Sequence, residues 1–86
     1  MNPQEIQTIV QDVEARLRAR ENGVRFRTDV DHVHFSDAKI LYIPVFIESP
    51  PASDRERIMD IFEVVERESE AKFNVDVLVL PAVRFG

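Results

Sequence analysis

His32 and His34 stand two residues apart, with Asp29, Asp31 and Asp37 close by in the chain. On a strand that spacing turns both imidazoles to one face, and two ring nitrogens with a carboxylate are donors suited to zinc or a similar ion. No third ligand has a defined place in the pattern. An ordinary polar strand face, with Val33 and Phe35 turned inward, accounts for the same residues, so neither a metal nor a cofactor is expected.

The remaining chemistry is equally sparse. The hydroxyls, Thr8, Thr28, Ser36, Ser49, Ser53 and Ser69, and the single phenol, Tyr42, match no nucleophile-elbow or phosphate-loop pattern. Two glycines leave no Gly-rich loop to wrap a phosphate, and the absence of cysteine removes disulfides, thiolate nucleophiles and Cys-held zinc or iron–sulfur sites. A chain of 86 residues also has little room for a water-excluding pocket within one subunit. A non-enzymatic protein is expected.

Charged residues fall into two groups. Asp54, Glu56, Asp60, Glu63, Glu66, Glu68 and Glu70 accompany Arg55, Arg57, Arg67 and Lys72 along one segment. A carboxylate face built on Glu63, Glu66 and Glu70 could occupy a basic groove of a nucleic-acid-handling partner, making the chain an acidic inhibitor or regulator. The plainer alternative is a solvated helix face with pairs such as Glu63–Arg67 and Glu68–Lys72. Arg16, Arg18, Arg20, Arg25 and Arg27 are the main basic concentration; they could hold a phosphate or an acidic segment, or simply offset a helix dipole and neighbouring carboxylates. With sixteen acidic against eleven basic residues, direct nucleic-acid binding is not expected.

The elements that position these residues follow from periodicity. Asn2-Pro3-Gln4-Glu5 is a helix start with a capping box, and Ile6, Ile9, Val10, Val13 and Leu17 continue it as one apolar stripe that ends near Asn22-Gly23. From Val24 the period becomes two, then slips by one near Asp29-Val30-Asp31, which marks either one bent strand or two short ones. Ser36-Asp37-Ala38 is a turn into the strand 39–48, where Pro44 must face an edge or a bulge. Ser49-Pro50-Pro51-Ala52 breaks that strand. Ser53 with Glu56 caps a helix to about Lys72, carrying Ile58, Ile61, Phe62 and Val65 on one face, and Val75 to Leu80 reads as a buried strand. Val83 to Gly86 is left as a short tail.

The order α-β-β-α-β resembles the carboxy-terminal domain of NifU-type iron–sulfur scaffolds, with Asn22-Gly23-Val24 at the corresponding helix-to-strand turn. That family places paired cysteines before its second helix, where this chain reads Ser49-Pro50-Pro51-Ala52-Ser53, so cluster binding does not carry over. Thr28-Asp29-Val30 through Ser36-Asp37-Ala38-Lys39 also resembles the central hairpin of ribosome-binding factors with a KH-like fold. Without a GxxG loop, and with acidic charge, this chain gains no RNA-binding expectation from that resemblance.

One α+β domain over residues 1–86 is therefore expected: a two-layer sandwich with a three- or four-stranded mixed sheet and both helices on one face. Between Lys39 and Glu48, Ile40, Tyr42 and Phe46 face one way and Leu41, Ile43, Val45 and Ile47 the other. Two helix stripes can cover only one of these sets. Leaving four large side chains in water forgoes roughly 6–12 kcal/mol, comparable with the stability of a small domain. The expected interaction surface is Leu41, Ile43, Val45 and Ile47 on the uncovered face, taking a second copy in a homodimer or another protein partner. The start Met-Asn-Pro-Gln-Glu has no signal-peptide pattern, and the apolar run 40–47 falls far short of the roughly 20 residues that cross a bilayer, so a cytoplasmic location without membrane contact is expected.

Overall fold

The computed structural model describes residues 1–21, 25–48 and 55–82. Helix α1 spans Pro3–Arg20. The Asn2 Oδ1 accepts from the Glu5 backbone N–H at 2.8 Å, while its side-chain amide donates to Glu5 Oε1 at 3.0 Å, so the expected cap forms. Strand β1 (Arg25–Thr28), a 3-10 turn (Val30–His32) and strand β2 (His34–Phe35) follow, then β3 (Ile40–Glu48), helix α2 (Arg55–Phe73) and β4 (Asp76–Pro81). The expected helix end at Asn22-Gly23, the Ser49–Ala52 break, the Ser53 cap and the tail from Val83 lie outside the described residues.

Strand β3 is the centre of a mixed four-stranded sheet. It pairs antiparallel with β1 and β2 and parallel with β4. Val45 lies opposite both Thr28 and Pro81, and Leu41 opposite both Phe35 and Val77. A strand has two edges, so β4 holds one and β1 and β2 follow each other along the second.

The interruption between β1 and β2 coincides with Pro44. Its carbonyl accepts from the Asp29 N–H at 2.9 Å, and the nitrogen and oxygen of one strand residue face the same edge. The proline nitrogen, which has no proton to give, is therefore turned toward the gap where the 3-10 turn replaces a ladder strand. The slip in alternation at Asp29-Val30-Asp31 is this turn, and it makes two short strands instead of one bent one. The hairpin into β3 is tied by Ser36, whose N–H donates to the Ile40 carbonyl, whose carbonyl accepts from Lys39 N–H, and whose Oγ accepts from Ile40 N–H. Lys39 takes a left-handed backbone there, with φ 64°.

Both helices lie on one face of the sheet. Ile9, Val10, Val13 and Leu17 of α1 and Ile58, Phe62 and Val65 of α2 form a single cluster with Phe26, Leu41, Ile43, Val45, Val77 and Val79. The Phe26 and Phe62 rings meet at 6.1 Å, tilted by 58°. Leu41, Ile43 and Val45 are fully buried, and Ile47 packs against the same cluster. Their expected placement on the open face is thus corrected: the set faces the helices. Register explains the outcome, because these residues sit opposite the inward-facing Phe26, Thr28, Val77 and Val79, and a one-residue shift would invert both pairings.

Thr28 is the polar exception on that inner face. Its Oγ1 is buried and has no hydrogen-bond partner among the described residues. A buried hydroxyl left unpaired costs of order 1 kcal/mol or more, so Thr28→Val should raise the unfolding free energy by about 1 kcal/mol in urea denaturation. A lowered midpoint would show that the hydroxyl is bonded after all.

Candidate functional site

Among the described residues, the opposite face of the sheet has no helix over it. Parity and register place Ile40, Tyr42, Pro44 and Phe46 of β3 there, with Leu78 and Leu80 of β4, His34 of β2 and Arg25 and Arg27 of β1. Tyr42 stacks on His34 with ring centroids 6.4 Å apart, and the Arg27 guanidinium lies 5.0 Å over the Phe46 ring. The apolar members are half-buried, each shielded by its neighbours, and the middle of the face carries no charge. Arg25 and Arg27 stand at one corner and Asp76 at the diagonally opposite one. The uncovered apolar set is therefore Ile40, Tyr42 and Phe46, opposite to the surface expected on Leu41, Ile43, Val45 and Ile47.

The two histidines are not brought together as a ligand pair. His34 lies on the open face, whereas His32 belongs to the 3-10 turn, where its Nδ1 is 2.7 Å from Asp29 Oδ2. That contact holds the His32 pKa above its ordinary value. Among the described residues no three histidine, aspartate or glutamate side chains gather as a metal would need.

The carboxylates of α2 do other work than facing a partner. Glu66 Oε1 accepts from the Val79 N–H at 2.9 Å and Glu70 Oε1 from the Val77 N–H at 3.2 Å. Four helical residues rise about 6 Å and two strand residues about 6.6 Å, so an i,i+4 pair of glutamates matches alternate amides on the outer edge of β4. Glu14 of α1 does the same for β1, accepting from the Thr28 N–H at 3.1 Å. Edge amides that could recruit another strand are thereby occupied. Glu66 and Glu70 are consequently half-buried parts of the fold, and the expected free carboxylate face loses two of its three named members.

The expected Glu68–Lys72 pair is replaced by bonds across the helix seam. Lys72 Nζ lies 3.0 Å from Asp12 Oδ1, and Glu68 binds Arg16 and Arg20 at 3.3 and 2.8 Å. Asp12 also takes the Arg16 guanidinium at 2.7 Å and the buried Ser69 hydroxyl at 3.3 Å. This polar seam was hidden in the sequence because its partners are 57 and 60 residues apart.

Two carboxylates respond oppositely to pH. Burial pushes the Glu66 pKa up, outweighing the Val79 amide, with Glu70 and Glu63 adding repulsion. Burial would also raise Asp12, but hydrogen bonds from Arg16 and Lys72 outweigh it and hold the pKa below the usual value. A raised folded pKa lowers stability as pH climbs through it; a depressed one supplies stability above the unfolded value that is lost as pH falls through the folded value. Glu66→Gln, which keeps an acceptor for Val79, should therefore gain stability relative to the unmodified chain between pH 4 and 7. Asp12→Asn should be destabilising at pH 7, with the deficit shrinking below about pH 3.9. Urea midpoints across that range measure both, and parallel pH profiles for all three proteins would contradict the assignment.

An open cavity of about 740 Å³ lies between the β2–β3 hairpin and the end of α2. Lys39 and Arg67 line it with Glu70 and Asp76, leaving no net charge, and its second left-handed residue, Asn74, ends α2 by donating to the Glu70 carbonyl. Among the described residues no helix is long and apolar enough to cross a membrane. Compared with models of known protein families, with characterised proteins and with solved structures, the chain shows no match.

Proposed function

We propose that this chain is a small, non-enzymatic assembly module of the cytoplasm that pairs with a second copy of itself through the open face of its sheet. The observation that carries the proposal is the continuous uncharged row of Ile40, Tyr42, Pro44, Phe46, Leu78 and Leu80, drawn from two neighbouring strands and facing away from both helices. A charge-free apolar surface is complementary to itself, and a two-fold axis lying in the interface plane brings two such faces together. The same surface fits an acidic nucleic-acid mimic poorly, since its carboxylates are at the rim.

Size sets the expected strength. Three strands spaced about 4.8 Å apart, over some six residues of β3, give a footprint of order 300 Å². Two such faces fall well short of the roughly 1,200 Å² at which stable interfaces begin, so a reversible pair with a dissociation constant in the micromolar range or weaker is expected. Sedimentation equilibrium tests this directly. Tyr42→Asp should abolish association while the unfolding midpoint stays nearly unchanged, and Met59→Asp, at a residue 44% exposed on α2 and so on the helix side of the sheet, should leave association intact. A chain that stays monomeric at high micromolar concentration and binds no apolar dye would overturn the proposal.

A further inference from the structure

The five arginines of α1 and β1 divide into two sets. Arg16 and Arg20 are locked into the helix seam by contacts of 2.7 Å to Asp12 and 2.8 Å to Glu68. Arg18, Arg25 and Arg27 instead line one open groove of about 360 Å³, with Phe26 and Glu48. Their pairing there is loose. Arg18 is 3.7 Å from Glu14, whose other oxygen is taken by the Thr28 amide, and Arg27 is 3.9 Å from Glu48. Both distances exceed the 2.7–2.9 Å of a charge-assisted hydrogen bond. Arg25 makes no ion pair among the described residues.

We propose that Arg18, Arg25 and Arg27 form a binding site for the phosphate group of a small phosphorylated molecule. Against the three guanidiniums stand Glu48 in the lining and Glu14 beside Arg18, so one positive charge is left over and two are loosely paired, which suits a phosphomonoester dianion better than a monovalent carboxylate. Guanidinium forks suit the geometry as well, since each presents parallel N–H donors to a pair of phosphate oxygens. The elements supplying them are fixed independently of the ligand. Arg25 and Arg27 are held in register with Glu48 and Phe46, and Arg27 is further seated on the Phe46 ring; Arg18 comes from the last turn of α1. The site does not depend on pairing of the open face, although it lies at one rim of it.

Backbone amide NMR of the full chain, kept dilute enough to be monomeric and at low salt, tests the site with inorganic phosphate, glycerol phosphate and acetate as probes. Saturable shifts centred on Arg25, Phe26 and Arg27 are expected with phosphate and glycerol phosphate. Equal affinities would mean that the phosphate alone is read, and tighter binding of the ester that the groove also reads the attached body. Arg25→Gln should weaken binding at least tenfold, and Lys39→Gln, at a distant cation, should not change it. Because the dianion is lost below a second pKa near 6, affinity should fall several-fold between pH 7.5 and 5. Shifts that never saturate, acetate binding as tightly as phosphate, or an Arg25→Gln protein with undiminished affinity would each overturn the proposal. So would tighter binding of a single-stranded oligonucleotide, whose phosphodiesters carry one charge each.

Discussion

Strand β3 is apolar on both faces and paired on both edges, yet only two helices among the described residues are there to cover it. That mismatch governs the rest of the structure. One face must go to the helices and the other must be left, and the choice is made by the neighbours of β3. Phe26 and Thr28 on one edge and Val77 and Val79 on the other share a face with Leu41, Ile43 and Val45, so turning that face inward buries seven side chains together. The alternative would bury Arg25, Arg27, Glu48 and Asp76 together, at a cost of several kcal/mol for each ion left without a close partner.

The excess of acidic residues takes on a different meaning once the edges of the sheet are considered. A strand at a sheet edge has amides that point away from its partner, and Val77, Val79 and Thr28 present theirs to helix carboxylates. Glu66 is partly desolvated in this role, with Glu63 and Glu70 adding like charge, yet its bond closes an edge on which another chain could otherwise grow. The face that remains open is therefore the broad surface of the sheet, with the β4 edge closed by α2. With those amides occupied, the β4 edge is poorly suited to strand addition, which needs free backbone groups.

Local signals were the legible ones. The Asn2 cap, the Ile9–Leu17 stripe, the Ile58–Val65 stripe and the phase slip at residues 29–31 all depend on residues within a turn or two of one another, and each appears where periodicity puts it. Pro44 and that slip were both visible, but their connection was not, since it exists only when Asp29 and Pro44 lie on facing strands. The open face was misassigned for a similar reason: within β3 alone Leu41, Ile43, Val45 and Ile47 are indistinguishable in hydrophobicity from Ile40, Tyr42 and Phe46. The neighbouring strands held a usable cue. Arg25 and Arg27 alternate with Phe26 and Thr28, and once the antiparallel register with β3 is set, the arginines fall beside Phe46 and Glu48.

The same register accounts for the division of the arginines. Arginines on the inner side of α1 meet Glu68 of α2, and Arg16 also meets Asp12 of its own helix, so their charge is spent on holding the helices together. Arg25 and Arg27 project from the outer side of the sheet, away from the seam between the helices, and the acid in register with them is Glu48. Arg18 is turned by the helical repeat away from the seam, toward the same end of β1. A chain with a net charge of −5 therefore carries a local positive excess at the one end of the sheet where its carboxylates are already committed elsewhere or outnumbered. Net charge describes the field of the whole molecule at a distance; within the roughly 8–10 Å screening length, the local arrangement of guanidiniums and carboxylates sets its sign.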